Sequence, residues 1–199
     1  PILAALPSVV LGLWGFAVFT PVAAGWAESL NKAFGWFPLF ASDGAGFLAS
    51  PFIAGWIVAI MIVPIIASIS REIFSQIDRD LINAAKGLGG GSYTIFKKVI
   101  LPTASGGVVG GVLLGLGRAL GETVAIFYVL NLVFEINWYE ILQQRGGSIA
   151  SNILARFGEA GPAEISALMA SGLVLFVMTL IINSIAAWVV AKAQPWRKN

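Results

Sequence analysis

The sequence has no cysteine and no histidine, and only 11% of its 199 residues are Asp, Glu, Lys or Arg. Without cysteine there is no disulfide framework. Without either residue there is no Ser-His or Cys-His nucleophile, no usual zinc site and no haem ligation by these side chains. Intramembrane hydrolysis by a Ser-His pair is excluded on the same ground. The net charge of +2 is too small to argue for a nucleic-acid partner, so the placement of charge matters more than its sum.

Apolar side chains are abundant. A hydrophobic share of 58% and a mean hydropathy of +0.87 place the chain in a bilayer. Crossing about 30 Å of hydrocarbon takes roughly 20 helical residues. Four apolar stretches meet that length: Ile2 to Ala24, Gly46 to Ser70, Thr103 to Phe134 and Ile165 to Ala191. The expected fold is an all-α integral membrane protein with a single transmembrane domain over residues 1–199. Pro7 and Pro64 fall within the first and second spans and predict kinks, either as static packing features or as gating hinges.

Orientation follows from the cations. Of twelve Lys and Arg, five (Arg71, Arg79, Lys86, Lys97, Lys98) lie between the second and third spans, and three (Lys192, Arg197, Lys198) lie in the tail. These segments are expected to face the cytoplasm. The loop Gly25 to Ala45 carries only Lys32. The loop Glu135 to Glu164 sets Arg145 and Arg156 against Glu135, Glu140, Glu159 and Glu164, so both loops are expected outside. Trp26, Trp36, Trp138 and Tyr139 then fall near the outer interface and Trp196 near the inner one. The chain enters from the cytoplasmic side at Pro1. With neither an initiator Met nor a basic leader, it is expected to be a piece of a longer polypeptide.

The cytoplasmic loop, about residues 71–102, has structure of its own. Asp78 and Asp80 precede the helical run Leu81 to Ala85, which Gly87, Gly89, Gly90 and Gly91 end. Ser92 is expected to cap a second helix, Tyr93 to Leu101, with Lys97 and Lys98 near its C-terminal end, where the dipole favours cations. Pro102 suits the first turn of the next span. An interfacial hairpin that merely joins two spans fits this pattern as well as a docking element does. The glycines do not read as a nucleotide site. Gly87 to Ser92 lacks Gly-Lys-Ser/Thr, Gly115 to Gly121 is one residue too long for the dinucleotide fingerprint, and neither follows a predicted strand. Any driving energy must come from a partner or a gradient.

Arg118 and Glu122 are the charged residues well inside a predicted span, where each costs on the order of 2.5–3.5 kcal/mol on insertion scales. An intrahelical ion pair at i and i+4 is one reading. Arg before Glu is the weaker order for a helix, however, and apolar replacements would fold no worse, which favours a role on a substrate pathway. An oxyanion crossing a low dielectric needs a permanent cation with directed donors, as Arg supplies. Glycines four apart (Gly106/Gly110, Gly107/Gly111, Gly111/Gly115, Gly117/Gly121) give small faces for helix packing, static or sliding; Gly107, Gly111 and Gly115 are the candidates for that seam. Asn131, Thr179 and Asn183 are expected to make interhelical hydrogen bonds.

The run Asn83-Ala84-Ala85, then Gly89, then Val99-Ile100-Leu101-Pro102 resembles the EAA loop of ABC importer permeases, with Asn83 in place of the family Glu and Val99 in place of Ile. The run Gly115 to Thr123 resembles the segment characteristic of phosphate-specific permeases of the PstC type, as do Ser148-Ile149-Ala150-Ser151, Phe157-Gly158-Glu159-Ala160 and Gly172 to Val177. The resemblance covers nearly the whole chain. It implies a type I ABC importer permease with four of the usual six spans, Pro1 opening the family's third, in the cytoplasmic membrane of a prokaryote. It further implies coupling to an ATPase through Asn83, Ala84, Ala85, Gly89, Leu101 and Pro102, and a substrate pathway at Arg118, Glu122 and Thr123. Implied partners are a second homologous permease, two cytoplasmic ATPase subunits, an extracytoplasmic phosphate-binding protein and membrane lipid. This chain itself would bind no cofactor, ATP and Mg being used by the ATPase. It would be a transport subunit rather than an enzyme, moving inorganic phosphate by alternating access. Molybdate, tungstate or phosphonate permeases, an ion-gradient-driven transporter and a purely structural membrane subunit are the alternatives.

Overall fold

A computed structural model of the chain describes residues 7–44, 46–130, 132–133 and 139–193, with the backbone alone at 189, 190, 192 and 193. Asn131, Phe134, Glu135, Trp138, Trp196, Arg197, Lys198 and residues 1–6 lie outside the described residues, as does the Lys192 side chain. Every regular element among the described residues is helical. In chain order these are α1 (Ser8–Trp14), a π turn (Gly15–Phe19), α2 (Thr20–Phe34), a 3-10 turn (Pro38–Phe40), α3 (Pro51–Ser75), α4 (Arg79–Gly87), α5 (Ser92–Ile95), a second π turn (Phe96–Ile100), α6 (Leu101–Leu120), α7 (Val124–Val129), α8 (Ile149–Arg156) and α9 (Pro162–Ala193).

Helices are the only open-ended elements that satisfy every backbone group inside lipid, which explains why the apolar runs take this form. Four stretches are long and apolar enough to cross a membrane: Ser8–Phe34, Pro51–Ser75, Ser92–Leu120 and Pro162–Trp188. At about 1.5 Å per residue each exceeds the roughly 30 Å of hydrocarbon and reaches into the headgroup layers.

Their limits differ from those expected, each for a local reason. The first helix runs on past Ala24 to Phe34. Its added turns carry the Glu28–Lys32 pair (2.7 Å), in the favourable order at i and i+4. Pro7 stands before α1 with ψ 137°, so it introduces the helix rather than kinking it. The second span opens at Pro51 instead of Gly46, because Gly46 (φ 95°) and Ala49 (φ 57°) have left-handed backbone that no α-helix admits. Pro64 does lie inside α3, where it removes the N–H that would ordinarily bond to the Ile60 carbonyl. The fourth opens at Pro162, whose missing N–H costs nothing in a first turn.

The third span departs furthest. Ser92 is not a cap: Gly91 holds that position and Ser92 is the first helical residue. The second loop helix does not stop at Pro102 either. It continues through the π turn into α6, giving one helical stretch of 29 residues, Ser92–Leu120. Each π turn ends two residues before a proline, Phe19 before Pro21 and Ile100 before Pro102. A proline ring collides with the carbonyl four residues back, and a wider turn moves that carbonyl aside. The Thr20 and Leu101 N–H groups accordingly donate five residues back, to Gly15 and Phe96.

The described residues fall into two compact units. One holds Ile62–Arg118 with residues 178–193, the other residues 7–61 with Ala119–Val177. In the first, α6 lies against α3 along a glycine face. A Cβ on Gly107, Gly111 or Gly115 would come within 2.7, 2.9 and 2.8 Å of Ile73, Ile69 and Ile66. In the second, Leu11, Ala23, Ile53, Ala54, Ile57, Met61, Ala125 and Val129 form the core. There α1 meets α7 so closely that a Cβ on Gly12 would sit 2.8 Å from the Ala125 Cα. The loop before α8 is tied to α3 and the 3-10 turn: Phe52 N–H donates to the Ile141 carbonyl (3.0 Å) and Ile141 N–H to that of Leu39 (3.2 Å).

Gly111→Ala is expected to lower thermal stability in detergent by about 1–3 kcal/mol, since its Cβ would meet the stiff Cγ2 of Ile69. Gly110→Ala, whose Cβ meets nothing within 4 Å, is expected to be neutral or to gain up to about 1 kcal/mol of helix propensity. Tryptophan-fluorescence melting curves compare them; equal midpoints would show that the glycine face carries no packing.

Candidate functional site

The polar segment on α4 and α5 is built by capping. The Asp78 carboxylate accepts from the Asp80 N–H (2.8 Å) and so starts α4, with Asp80 in the first turn and Lys86 in the last, both favourable to the dipole. The far end is a Schellman turn. Gly90 N–H donates to the Ala85 carbonyl (3.1 Å), Gly89 N–H to that of Lys86 (2.9 Å), and Gly89 takes the left-handed conformation at φ 83°. Gly89 therefore has a backbone reason to be glycine. So does Gly90, where a Cβ would stand 2.8 Å from the Ala85 oxygen. The sequence pattern marks the glycine run as a terminator without separating these roles.

The turn leaves apolar groups exposed. Leu88 is 91% and Tyr93 74% exposed, with Leu81 and Phe96 about half exposed. Asn83, Ala84 and Gly89 are exposed and Ala85 is half-buried. Leu101 is exposed and Pro102 half-buried, at the start of α6. The buried exception is Ile95, packed toward Gly90 and giving the hairpin its anchor. Lys97 Nζ lies 5.8 Å from the Tyr93 ring centroid, a cation–π contact. An exposed apolar surface beside ordered backbone is the chemistry of a docking face.

At the other end of the same helix, Arg118 occupies the last turn of α6, where the dipole favours a cation, and its side chain is exposed. The expected continuation to Phe134 does not occur. α6 ends at Leu120, Gly121 to Thr123 form a break, and α7 begins at Val124. Glu122 therefore lies beyond the helix end, and the four-residue spacing that would set it above Arg118 does not carry across the break. The Glu122 carboxylate has a different local task. It is buried, and its Oε1 accepts from the Ala125 N–H (3.3 Å), capping the first turn of α7. Thr123 stands at the cap position of α7, its hydroxyl donating to the Gly121 carbonyl (3.0 Å). The cap was not visible in the sequence, which reads Gly121 to Thr123 as interior helix. Among the described residues, no group of His, Cys, Asp and Glu is placed to hold a metal ion.

Several hydroxyls of the spans bond back to their own helical stretch. Thr20 Oγ1 donates to the Gly15 carbonyl (2.9 Å), Thr103 Oγ1 to Val99 (2.6 Å) and Ser105 Oγ to Pro102 (2.8 Å). Asn183 faces Gly117, its amide 3.9 Å from where a Cβ would be.

Residues 2–196 match the family described as binding-protein-dependent transport system inner membrane component. The phosphate transport system permease protein PstC of Pasteurella multocida (strain Pm70) is 40% identical over 195 residues, covering 96% of this chain and 60% of that protein. The protein of the same name from Haemophilus influenzae is 41% identical over 196 residues, covering 96% and 61%. A phosphate transport system permease protein PstC 2 of Mycobacterium tuberculosis is 37% identical over 188 residues, covering 93% and 58%. The chain thus spans about three fifths of the length of these relatives.

Gly89→Ala is expected to strain the turn by about 1–2 kcal/mol, because φ 83° is left-handed. Gly87→Ala, in regular helix with open space around its Cβ, is expected to cost nothing. Tryptic cleavage after Lys86 in inside-out vesicles reads the difference: faster for Gly89→Ala, unchanged for Gly87→Ala.

Proposed function

The chain belongs to the family of binding-protein-dependent transport system inner membrane components, and from that premise we propose that it is a permease subunit of an ATP-driven importer of inorganic phosphate. The observation that carries this reading is the single helical stretch from Ser92 to Leu120, with an exposed apolar turn at one end and an exposed Arg118 at the other. From Pro102 to Arg118 is about 24 Å of helix, so force delivered at the membrane surface reaches the substrate element through one rigid body.

In this reading Asn83, Ala84, Ala85, Gly89, Leu101 and Pro102 belong to the coupling element, which docks on a cytoplasmic ATPase through the apolar face of Leu81, Leu88 and Tyr93. Asn83 supplies hydrogen bonds where a family Glu would supply charge. Two such ATPases bind and hydrolyse Mg-ATP, and this chain binds no cofactor. A second homologous permease completes the pathway, and an extracytoplasmic phosphate-binding protein delivers the anion. Residues 1–199 act as one permease domain, and closure of the ATPase pair drives alternating access.

Arg118 offers the passing phosphate a permanent charge and a planar fork of donors. Glu122 contributes a carboxylate held in place by its bond to Ala125, and its second oxygen accepts a hydrogen bond from a protonated phosphate hydroxyl. Sulfate at neutral pH has no proton to offer, so this contact favours phosphate. Thr123 adds a hydroxyl at the same break.

Uptake of radiolabelled phosphate is expected to fall at least about tenfold in Arg118→Gln, the loss of one charge-assisted bond or more, and to fall in Glu122→Gln as well. Normal uptake in both would remove them from the pathway. ATPase activity copurifying with the chain and rising with a phosphate-loaded binding protein would support the coupling reading. Transport that followed an imposed proton gradient without ATPase subunits would overturn it.

A further inference from the structure

The pairing of each π turn with a proline two residues later has a consequence for how the docking turn is aimed. We propose that Pro102 is a positioning residue: by forcing the π turn Phe96–Ile100, it sets the rotation of Ser92–Ile95 about the axis of α6. A π turn holds one residue more than the α-helical turn it replaces. Residues before it are therefore rotated by about 100° from their places in an uninterrupted helix. Pro102 keeps the chain in the wide form because its nitrogen has no hydrogen for the Lys98 carbonyl and its ring collides there. The Leu101 N–H instead reaches the Phe96 carbonyl. The first helix shows the same relation in different surroundings, with Gly15–Phe19 before Pro21, so the rule does not depend on the loop.

The register cannot slip on the membrane side. Gly107, Gly111 and Gly115 are seated against Ile73, Ile69 and Ile66, and Ala104 is only 1% exposed. Any change must appear on the cytoplasmic side, where the burial pattern marks it. Ile95 is 4% exposed and lies near Gly90, while its neighbour Phe96 is 48% exposed. In an uninterrupted α-helix, residue 96 would take the place of Ile95, turning the larger Phe96 ring toward α4 and Ile95 out to water. Tyr93 and the connection to Leu88 would turn with them. The partner that fits is the cytoplasmic ATPase, so this inference rests on reading α4 and α5 as its docking element.

The chain's lack of cysteine makes the register directly measurable. Single variants Ile95→Cys and Phe96→Cys, in inside-out membrane vesicles, are treated with a membrane-impermeant maleimide. With Pro102 present, Phe96→Cys is expected to react at least about tenfold faster than Ile95→Cys, because a buried thiol reacts only through local opening. In the Pro102→Ala background the order is expected to reverse. Deletion of Ile100 in that background removes the surplus residue and is expected to restore the original order. If Ile95→Cys stays protected in Pro102→Ala, if both positions react alike, or if the deletion leaves the order reversed, the proposal is overturned. Labelling reads register alone. Failure of ATPase docking with the labelling order intact would count against the docking reading and leave the register device standing.

Discussion

The approach of α6 to α3 along Gly107, Gly111 and Gly115 is the contact on which the rest of the first unit depends. In lipid, apolar side chains gain nothing by exchanging acyl tails for one another, so helices associate through close packing and hydrogen bonds. Three glycines at four-residue intervals cut a groove. Ile73, Ile69 and Ile66 fill it so fully that one added carbon at any of the three positions comes under 3 Å. β-branched side chains are stiff at χ1, so the seam fits in one register and resists sliding. This makes α6 a rod with a fixed rotation, and it lends mechanical meaning to the features at its two ends.

Proline and glycine in these spans weaken the helices that carry them, and the chain offsets this locally. Where Pro21 and Pro102 remove backbone donors, a wide turn lets the neighbouring N–H bond five residues back. Nearby hydroxyls of Thr20 and Thr103 add bonds to the carbonyls of Gly15 and Val99. Ser166 and Ser171 likewise bond back to Pro162 and Leu168 on α9. Hydroxyls that return to their own helix are satisfied within lipid and are no evidence of a pathway. Arg118 differs from them, being charged, exposed and placed where α6 stops. Glu122 differs in another way. Its bond to Ala125 fixes the carboxylate and starts α7 at once, a structural task that the hydroxyls above do not have.

Much of this was legible in the sequence. The four spans follow from length and apolarity, and the helix α4 with its glycine turn from acidic residues before a helical run and a glycine cluster after it. The span limits were not legible, because a hydropathy window does not register where a backbone donor is missing or where a left-handed residue forbids a helix. Pro7 and Pro102 illustrate this. One was read as interior and stands before its helix; the other does lie in the first turn of α6, but helix also runs ahead of it from Ser92 through the π turn. A window average has no access to that distinction.

The sequence by itself determined the class of protein, since continuous apolar runs of about 20 residues or more satisfy their backbone within a bilayer as helices, and it determined which residues have unusual chemistry there. Only the tertiary structure decided which two of the four similar glycine pairs form the seam, leaving Gly110 open while Gly111 is filled. It also decided that the helix breaks before Glu122. The physical reason is the same in both cases. Each place meets a surface supplied by a distant part of the chain, Ile66 to Ile73 on α3 against the glycines and Gly12 on α1 against Ala125 in α7, and no local pattern encodes how such surfaces meet.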